Sequence, residues 1–401
     1  MPLLAQCGYG RSDKIERGLE EGTISGVILS PRDETRERLE TYCSELSREH
    51  EEATVLFDPQ FYAASLRNAR DGHLSEYPFH ANDSGLGRNQ FRPRQIQRYV
   101  SNCLEYQSLS LPGLAYLVSP SVPFDDFSDS WSQIALNMAE ASVDDWQSRQ
   151  GAPPLLVTIV LSESSLRDFT RMNEFLDTLS TLDTAGFYVL VQRTSAVPEP
   201  AMDITSMANL LYFVYVLASL NDYRVVVGYS DWMGGLFQSV GATFSASGWH
   251  NSLRQFTLAR FMPQRGGRRA RKRYSSLPLL SCPLVVPELE DVFLAGLLGN
   301  VLTGGVHDRV LSRGPRRGEG DWTDVISCLA HWESLSRFYG GIESQVAVSA
   351  RLNTAEQSIR AALALYAQLQ ASNVYFEAAT GPDHLSDWLD SLRIFRNEAT
   401  V

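Results

Sequence analysis

Polar and aromatic side chains follow several short apolar runs of this sequence, and one such junction is well suited to chemistry. In ATVLFDPQFY, residues 53–62, an apolar stretch ends at Asp58 and is followed by a proline, Gln60 and the rings of Phe61 and Tyr62. Because proline disfavours a helical backbone at the residue before it, Asp58 should stay extended at the end of a strand. A carboxylate held there can accept a proton or stabilise a cation, and an ordinary ion pair is the alternative role.

Further candidates follow other apolar runs along the chain. The candidate catalytic acids are Asp58, Glu163 and Asp231, and the candidate base-binding residues are Gln60, Phe61, Tyr62, Arg193, Tyr229, Trp249, His250 and Asn251. Acids, a guanidinium and several rings suit a flat, polar, partly cationic substrate, and a nucleobase fits that description. Structural alternatives exist, because Glu163 could belong to the first turn of the following helix and Asp231 could cap the next one. Arg193 could neutralise an acid, and Trp249 could pack in the core.

The elements that would position these residues are eight apolar, β-branched runs separated by helical patterns. The runs are residues 2–8, 24–30, 54–58, 114–120, 155–163, 187–193, 224–231 and 242–249. Continuous apolar runs are typical of strands buried on both faces. Their strict alternation with helices predicts an α/β fold, a TIM-like (β/α)8 barrel, in which the carboxyl ends of all strands meet on one face. No GxGxxG or Walker motif follows a strand, so a dinucleotide fold finds no support.

The same pattern predicts the domain organisation. We expect the barrel to span residues 1–260 and to carry a long insertion, residues 63–113, after its third strand. Loops of that length at the carboxyl end of a barrel strand are usually functional. A basic linker is expected over residues 261–282, and a helical C-terminal domain over residues 283–401. That domain could pack on the barrel or bind a partner.

The charge distribution is uneven. The 401 residues include 35 basic and 47 acidic side chains, and the resulting net charge of −12 repels nucleic acid if it is evenly spread. Basic residues nevertheless cluster directly after the eighth strand, where they could neutralise phosphates: Arg260, Arg265, Arg268, Arg269, Arg271, Lys272 and Arg273. The sequence therefore predicts contacts to a nucleic-acid backbone here, and a solvated loop is the alternative.

Cysteine spacing and hydropathy argue against a disulfide-rich protein, a zinc site built from cysteines and a membrane protein. The five cysteines are dispersed without CxxC spacing, which argues against a disulfide framework and a thiolate zinc site, so no metal or cofactor is expected. No apolar run approaches the roughly 20 residues of a membrane helix. The N-terminus lacks the pattern of a signal peptide. The prediction is a cytoplasmic protein without a membrane partner.

Two segments resemble a known family. RVVVGYSDWMGGLFQSVGATFSASGWHNSLRQF, residues 224–256, resembles the closing part of the tRNA-guanine transglycosylase barrel, and LFDPQFY, residues 56–62, is similar to the family's third-strand segment. There an aspartate at the strand end contacts the base, which implies that role for Asp58. The family's nucleophilic aspartate would fall near Ala246, and its zinc motif of three cysteines and a histidine is absent.

Hydrolysis is the economical reaction when Asp58 acts without that nucleophile. A carboxylate stabilises the cation that forms as an N-glycosidic bond breaks and can orient water, while aromatic rings hold a flipped base. The chain is similar to the antiphage DNA glycosylases that remove glucosylated hydroxymethylcytosine. The resemblance implies phage DNA with modified bases as the partner and an abasic site as the product. The alternatives are a tRNA base-exchange enzyme using another nucleophile, such as Asp231, and a non-catalytic nucleic-acid-binding member of the same barrel family.

Overall fold

The computed structural model describes residues 2–81, 85–195, 201–263 and 271–401. The strands are β1 (Leu3–Gln6), β2 (Gly26–Leu29), β3 (Thr54–Phe57), β4 (Leu117–Val118), β5 (Pro123–Phe124), β6 (Leu155–Ser162), β7 (Gly186–Gln192), β8 (Arg224–Val227) and β9 (Phe244–Ser247). They form one parallel sheet in the order β3-β2-β1-β9-β8-β7-β6-β4, with β5 also paired to β6.

The sheet curls into a nearly closed barrel. Strands β4 and β5 are short pieces that both pair with β6, so together they occupy one position around the barrel. At the remaining seam, the N–H of Ala115 donates to the carbonyl of Val55 in β3 at 2.9 Å. Every apolar run that predicted a strand contains one, and all residues of β6 are buried, as expected for a strand covered on both faces. The predicted (β/α)8 barrel is confirmed.

Helices cover the outside of the barrel between successive strands. They are α1 (Lys14–Glu20), α2 (Arg36–Glu49), α3 (Pro93–Ser110), α4 (Ser130–Gln147), α5 (Phe169–Leu179), α6 (Ile204–Tyr215) and α7 (Gly234–Ser239). Thr35, Asp129, Asp168 and Asp203 precede four of them and accept hydrogen bonds from first-turn N–H groups. These side chains satisfy N–H groups that have no partner within the helix, which fixes where each helix begins.

Six further helices lie in residues 271–401, the described part of the chain after the barrel. They are α8 (Glu290–Leu294), α9 (Leu298–Val301), α10 (Pro315–Gly318), α11 (Asp324–Glu343), α12 (Val348–Ala371) and α13 (Asp383–Ala399). Helix α11 packs on α7, and its Trp332 donates an indole hydrogen bond to the carbonyl of Ser247 at the end of β9, at 3.0 Å. Helix α13 packs on α6, where Ser391 donates to the carbonyl of Ile204 at 3.1 Å. The C-terminal helices therefore pack directly on the barrel.

The long segment after β3 is held against the barrel by aromatic packing. Phe79 lies edge-on to Phe57 of β3, with ring centroids 6.0 Å apart, and Tyr77 lies edge-on to Tyr106 of α3 at 5.4 Å. All four rings are buried. None of the helices in the described part of the chain has the length and apolar character needed to cross a membrane.

Candidate functional site

Asp58 lies immediately after β3, on the face of the barrel where the carboxyl ends of the strands meet. Its backbone N–H donates to the carbonyl of Leu29, which keeps the residue in the extended register of the sheet. The side chain has no exposed surface. Its carboxylate accepts hydrogen bonds from the N–H of Gln60 at 3.0 Å, the hydroxyl of Tyr62 at 2.9 Å and the hydroxyl of Tyr188 at 3.3 Å. Two phenols and one amide thus hold a single buried acid.

The protonation of Asp58 is shifted toward neutral pH. Burial raises its pKa to about 6, because the loss of water outweighs the three hydrogen bonds and the positive charge of Arg260, which all lower it. Burial and the neighbouring carboxylate raise the pKa values of Tyr62 and Tyr188, so both phenols remain donors. A carboxyl group with such a pKa can exchange a proton near physiological pH, which suits general acid or base chemistry.

The backbone around this acid is strained at two positions. Gln60 and Tyr229 both have φ of 53°, in the left-handed region that residues with a Cβ rarely adopt. Such strain concentrates at functional sites. The Gln60 amide holds its turn by donating to the Ser30 hydroxyl at 2.9 Å and accepting from the N–H of Arg32 at 3.2 Å. The predicted base-binding residue Gln60 therefore positions the turn that supplies an N–H to Asp58.

Gln6, the last residue of β1, adds an amide that the sequence analysis missed. It is fully buried, and neither its side-chain oxygen nor its nitrogen has a partner at ordinary hydrogen-bond geometry. It lies close enough to the Tyr188 hydroxyl for a weak hydrogen bond that lowers the pKa of that group, against the larger effect of burial. Poorly paired buried amide atoms cost free energy, and a bound ligand can pair with them. The only signal in the sequence was a single amide inside the apolar run 2–8.

Arg260 brings a buried positive charge to the same site. Its guanidinium donates to the hydroxyl of Tyr229 at 2.9 Å and forms an ion pair with Asp33. Asp33 also accepts from Ser30 at 2.9 Å and pairs with Arg32 at 3.1 Å. Burial disfavours the charge of Arg260, but its acidic neighbours raise its pKa, so the guanidinium stays protonated. The sequence predicted that Arg260 contacts phosphates. In the structure it is buried at the end of the barrel where the carboxyl ends of the strands meet.

Residues 253–262, here named the cover segment, lie across the carboxyl ends of the strands. The carbonyl of Phe256 accepts from the N–H of Arg193 at 3.0 Å, and the carbonyl of Phe261 accepts from the N–H of Arg70 at 2.6 Å. Both phenyl rings meet the ring of Tyr62 edge-on, with centroids 5.1 and 5.6 Å away. The cover segment thus helps to seal Asp58 from solvent.

Glu163 follows β6 and Arg193 follows β7, and the two side chains contact each other. Their side chains form a buried ion pair with an N–O distance of 3.0 Å. The Glu163 carboxylate also accepts from the backbone N–H groups of Thr194 at 3.2 Å and Asp203 at 3.3 Å. This arrangement joins the ends of β6 and β7 to the start of α6, and it matches the neutralising role that was the alternative for Arg193.

Asp231 faces the C-terminal helices. Its carboxylate lies 3.1 Å from Nε2 of His331 in α11 and accepts from the Ser247 hydroxyl at 3.4 Å. Burial raises its pKa, but His331 and Arg254 outweigh that effect and the pKa is lowered, so Asp231 remains ionised. Asp231 was predicted to be a catalytic acid, and the structure places it in a second polar cluster with His331 and Ser247.

The remaining ring candidates lie at the rim or behind the strands. Trp249 is buried and donates its indole N–H to the carbonyl of Tyr9 at 2.9 Å, while the following residues, His250 and Asn251, are exposed at the rim. Phe61 packs against Tyr99 of α3 with centroids 5.1 Å apart. Of the predicted rings, Tyr62 and Tyr229 are the ones that join Asp58.

The described part of the basic run contacts the protein itself. Arg271 forms a two-pronged ion pair with Glu377 at 2.7 and 2.8 Å, and Lys272 donates to the carbonyl of Glu319. Arg273 donates to the carbonyl of Cys282 at 2.8 Å. The predicted phosphate contacts Arg265, Arg268 and Arg269 lie outside the described residues.

Within the described ranges, no group of three or more His, Cys, Asp or Glu side chains could hold a metal ion. No protein-family model matches this chain, and no curated protein is significantly similar to it. The chemistry of the Asp58 cluster is therefore the basis for a functional assignment.

Proposed function

We propose that this protein is a DNA glycosylase that hydrolyses the N-glycosidic bond of a modified base and leaves an abasic site. One observation carries the proposal. The buried carboxylate of Asp58 and the buried, poorly paired amide of Gln6 both lie next to the hydroxyl of Tyr188, on the face of the barrel where catalytic groups gather. Asp58 supplies a group for the reaction, and Gln6 supplies a group for recognition of the base.

The reaction separates charge in a way that the cluster can stabilise. As the bond from sugar to base breaks, positive charge builds on the sugar and negative charge on the base. Ionised Asp58 stabilises the sugar cation and accepts a proton from the attacking water. The buried guanidinium of Arg260 lies close enough to lower the pKa of Asp58, and it can stabilise the departing base. Interactions of this kind are worth several kcal/mol in a site without water.

Recognition of the base rests on Gln6 and the aromatic rings. An amide presents an oxygen acceptor beside an N–H donor, and it complements a base edge with a donor next to an acceptor, such as the N4–N3 edge of cytosine. The rings of Tyr62 and Tyr229 already line the cluster and provide flat apolar surfaces for a base. A base must leave the duplex to reach this depth, as glycosylases require. The resemblance in sequence favours glucosylated hydroxymethylcytosine in phage DNA, and hence a role in antiphage defence.

The experiment compares DNA carrying glucosylated hydroxymethylcytosine, hydroxymethylcytosine or cytosine. After incubation with the full-length protein, alkali-labile sites are counted and the released base is identified by mass spectrometry. We expect both signals with one modified DNA and neither with Asp58→Asn, which keeps the size of the side chain. Release without Asp58 would overturn the assignment of the acid. Incorporation of a free base into tRNA would instead support base exchange, and binding without release would support a non-catalytic role.

A further inference from the structure

A second polar cluster lies between the barrel and helix α11, apart from the chemistry proposed for Asp58. His331, which is fully buried, lies at its centre. Its Nε2 faces the carboxylate of Asp231 and the hydroxyl of Ser247, each at 3.1 Å, and its Nδ1 lies 2.6 Å from the hydroxyl of Ser275. The Ser275 hydroxyl is in turn 3.3 Å from the sulfur of Cys282. Acid, imidazole, hydroxyl and thiol thus form one continuous chain.

The sulfur of Cys282 is surrounded by hydrogen-bond donors. The indole N–H of Trp232 donates to it at 3.3 Å, and the guanidinium of Arg254 donates to it at 3.5 Å. Both groups are donors only, so the sulfur must be the acceptor in each contact. A thiolate accepts such bonds far better than a neutral thiol does, and an adjacent arginine favours the anion further. The geometry therefore stabilises the ionised form.

The electrostatics agree with the geometry. Burial raises the pKa of Cys282, but His331 and the charge of Arg254 outweigh it and lower the pKa from 9.0 to about 7. The other cysteines have the opposite environment. Cys7, Cys43, Cys103 and Cys328 are buried, and burial raises the pKa of each, whereas Cys282 is partly exposed. Cys282 thus differs from the other four cysteines in its environment, and its sulfur is enclosed by Trp232, Arg254 and Ser275.

We propose that Cys282 is a reactive thiolate and a site of oxidation by hydroperoxides. The sulfur attacks one oxygen of the peroxide, an S–O bond forms, and the O–O bond breaks. The thiolate loses two electrons and becomes a sulfenic acid, while the peroxide gains them and leaves as water or an alcohol after protonation. Arg254 and Trp232, which already point at the sulfur, can stabilise the departing oxygen.

The chain through Ser275 explains how the thiolate is maintained. With a proton on Nδ1, His331 can donate to Ser275, which leaves the Ser275 hydroxyl free to donate to the sulfur. Asp231 and His331 are therefore positioning residues for Cys282. Because Asp231 belongs to the barrel and His331 to α11, the site also requires that these two parts be packed together.

The first test measures alkylation of the native full-length protein. Short pulses of iodoacetamide between pH 5 and 9 are followed by peptide mass spectrometry. We expect Cys282 to react with a rate that reaches half its maximum near pH 7, while the four buried cysteines stay protected until denaturant is added. Equal protection of all five, or a midpoint for Cys282 near that of an ordinary thiol, would overturn the proposal.

Two variants and a treatment with hydrogen peroxide extend the test. Ser275→Ala removes one small hydroxyl and should raise the midpoint by about one pH unit, or about tenfold in thiolate population at a fixed pH below it. His331→Asn should raise the midpoint as well. If this change at a buried residue prevents folding, Ser275→Ala still tests the proposal. With hydrogen peroxide and dimedone, an adduct at Cys282 alone supports the proposal, and its absence there refutes oxidation at this site.

Discussion

Asp58 is held by groups that favour its ionised form in an environment that disfavours it. Three donors contact the carboxylate, yet its pKa is raised to about 6 by burial. A folded protein normally avoids an acid in such a place, because the ionised form then opposes folding. Natural proteins keep such arrangements mainly where function needs them. This conflict can be measured as a dependence of stability on pH.

Asp58→Asn should remove part of the pH dependence of folding. Since the pKa of Asp58 is raised in the folded state, the folded protein binds the proton more tightly than the unfolded chain does, and stability falls as pH rises from about 4 to about 6. The loss is complete above that window and amounts to roughly 3 kcal/mol for a shift of about two units. Urea unfolding at pH 4 and 7.5 should show wild type losing more stability than the variant.

Equal losses of stability in wild type and Asp58→Asn would contradict this prediction.

The ionisation of Asp58 should also govern the reaction, because the ionised carboxylate is the form that stabilises the sugar cation. We expect kcat/KM for base release to rise with pH through about 6 and then level off. A profile that is flat across that range would show that the rate does not depend on Asp58 losing its proton.

Replacing Gln6 should separate recognition from stability. Gln6→Leu removes two poorly paired buried polar atoms at similar volume, so the free energy of unfolding should rise by about 1–3 kcal/mol while base release is lost. Gln107→Leu is the matched control. Gln107 is equally buried, but its amide donates to the carbonyl of Val118 at 2.8 Å and accepts from its N–H at 2.9 Å. That variant should lose about 2 kcal/mol, as judged by urea unfolding. Destabilisation by Gln6→Leu would point to a structural role.

At the level of single residues, the sequence predicted part of the candidate site. Asp58 could be found because a carboxylate ending an apolar run before proline is an uncommon pattern, and Tyr62 and Tyr229 join it as base-binding candidates. Gln6 and Tyr188 could not be found in the same way, because both lie inside apolar strands. Their importance depends on facing the barrel interior and, for Gln6, on being poorly paired, and neither property is encoded in residue type or spacing.

The elements were more predictable than the side chains between them. Buried parallel strands leave continuous apolar runs in the sequence, and the helices between them begin at capping residues, so order and fold class follow from short-range patterns. The cover segment has no such pattern. Residues 253–262 are irregular, and they are held by contacts with distant strands, such as the hydrogen bond from Arg193 to Phe256. Contacts of that kind depend on the assembled barrel.

Phe261→Ala tests whether the cover segment is an independently mobile element. The ring is buried between Tyr62 and the guanidinium of Arg32, which lies 5.3 Å from its centroid, so truncation should cost about 3–5 kcal/mol at most. We expect amide hydrogen exchange to accelerate in residues 253–262 and to remain slow in the barrel strands. Phe293→Ala, which removes a partly exposed ring in α8, is the control and should change neither. Equal acceleration in the segment and the strands would show that the two open only together.

The whole molecule combines a net charge of −12 with a local excess of arginine and lysine after the barrel. Where that run is described, its charges are already engaged: Arg271 pairs with Glu377, just before the final helix. Both side chains are more than two-fifths exposed, so solvent and salt screen this ion pair. Under the proposed DNA-binding function, a phosphate would replace Glu377 as the partner of Arg271 at small cost.

Opposite changes in this pair should move DNA affinity in opposite directions. Arg271→Gln should weaken binding about fivefold to tenfold near 0.1 M salt and reduce the slope of log K against log salt by about 0.9, because one phosphate contact is lost. Glu377→Gln frees Arg271 and should strengthen binding at low salt. Arg393→Gln removes an exposed arginine of α13 that pairs with Asp390, and it should leave the slope unchanged. Fluorescence anisotropy across a salt series measures all three, and equal effects of Arg271→Gln and Arg393→Gln would show that only net charge matters.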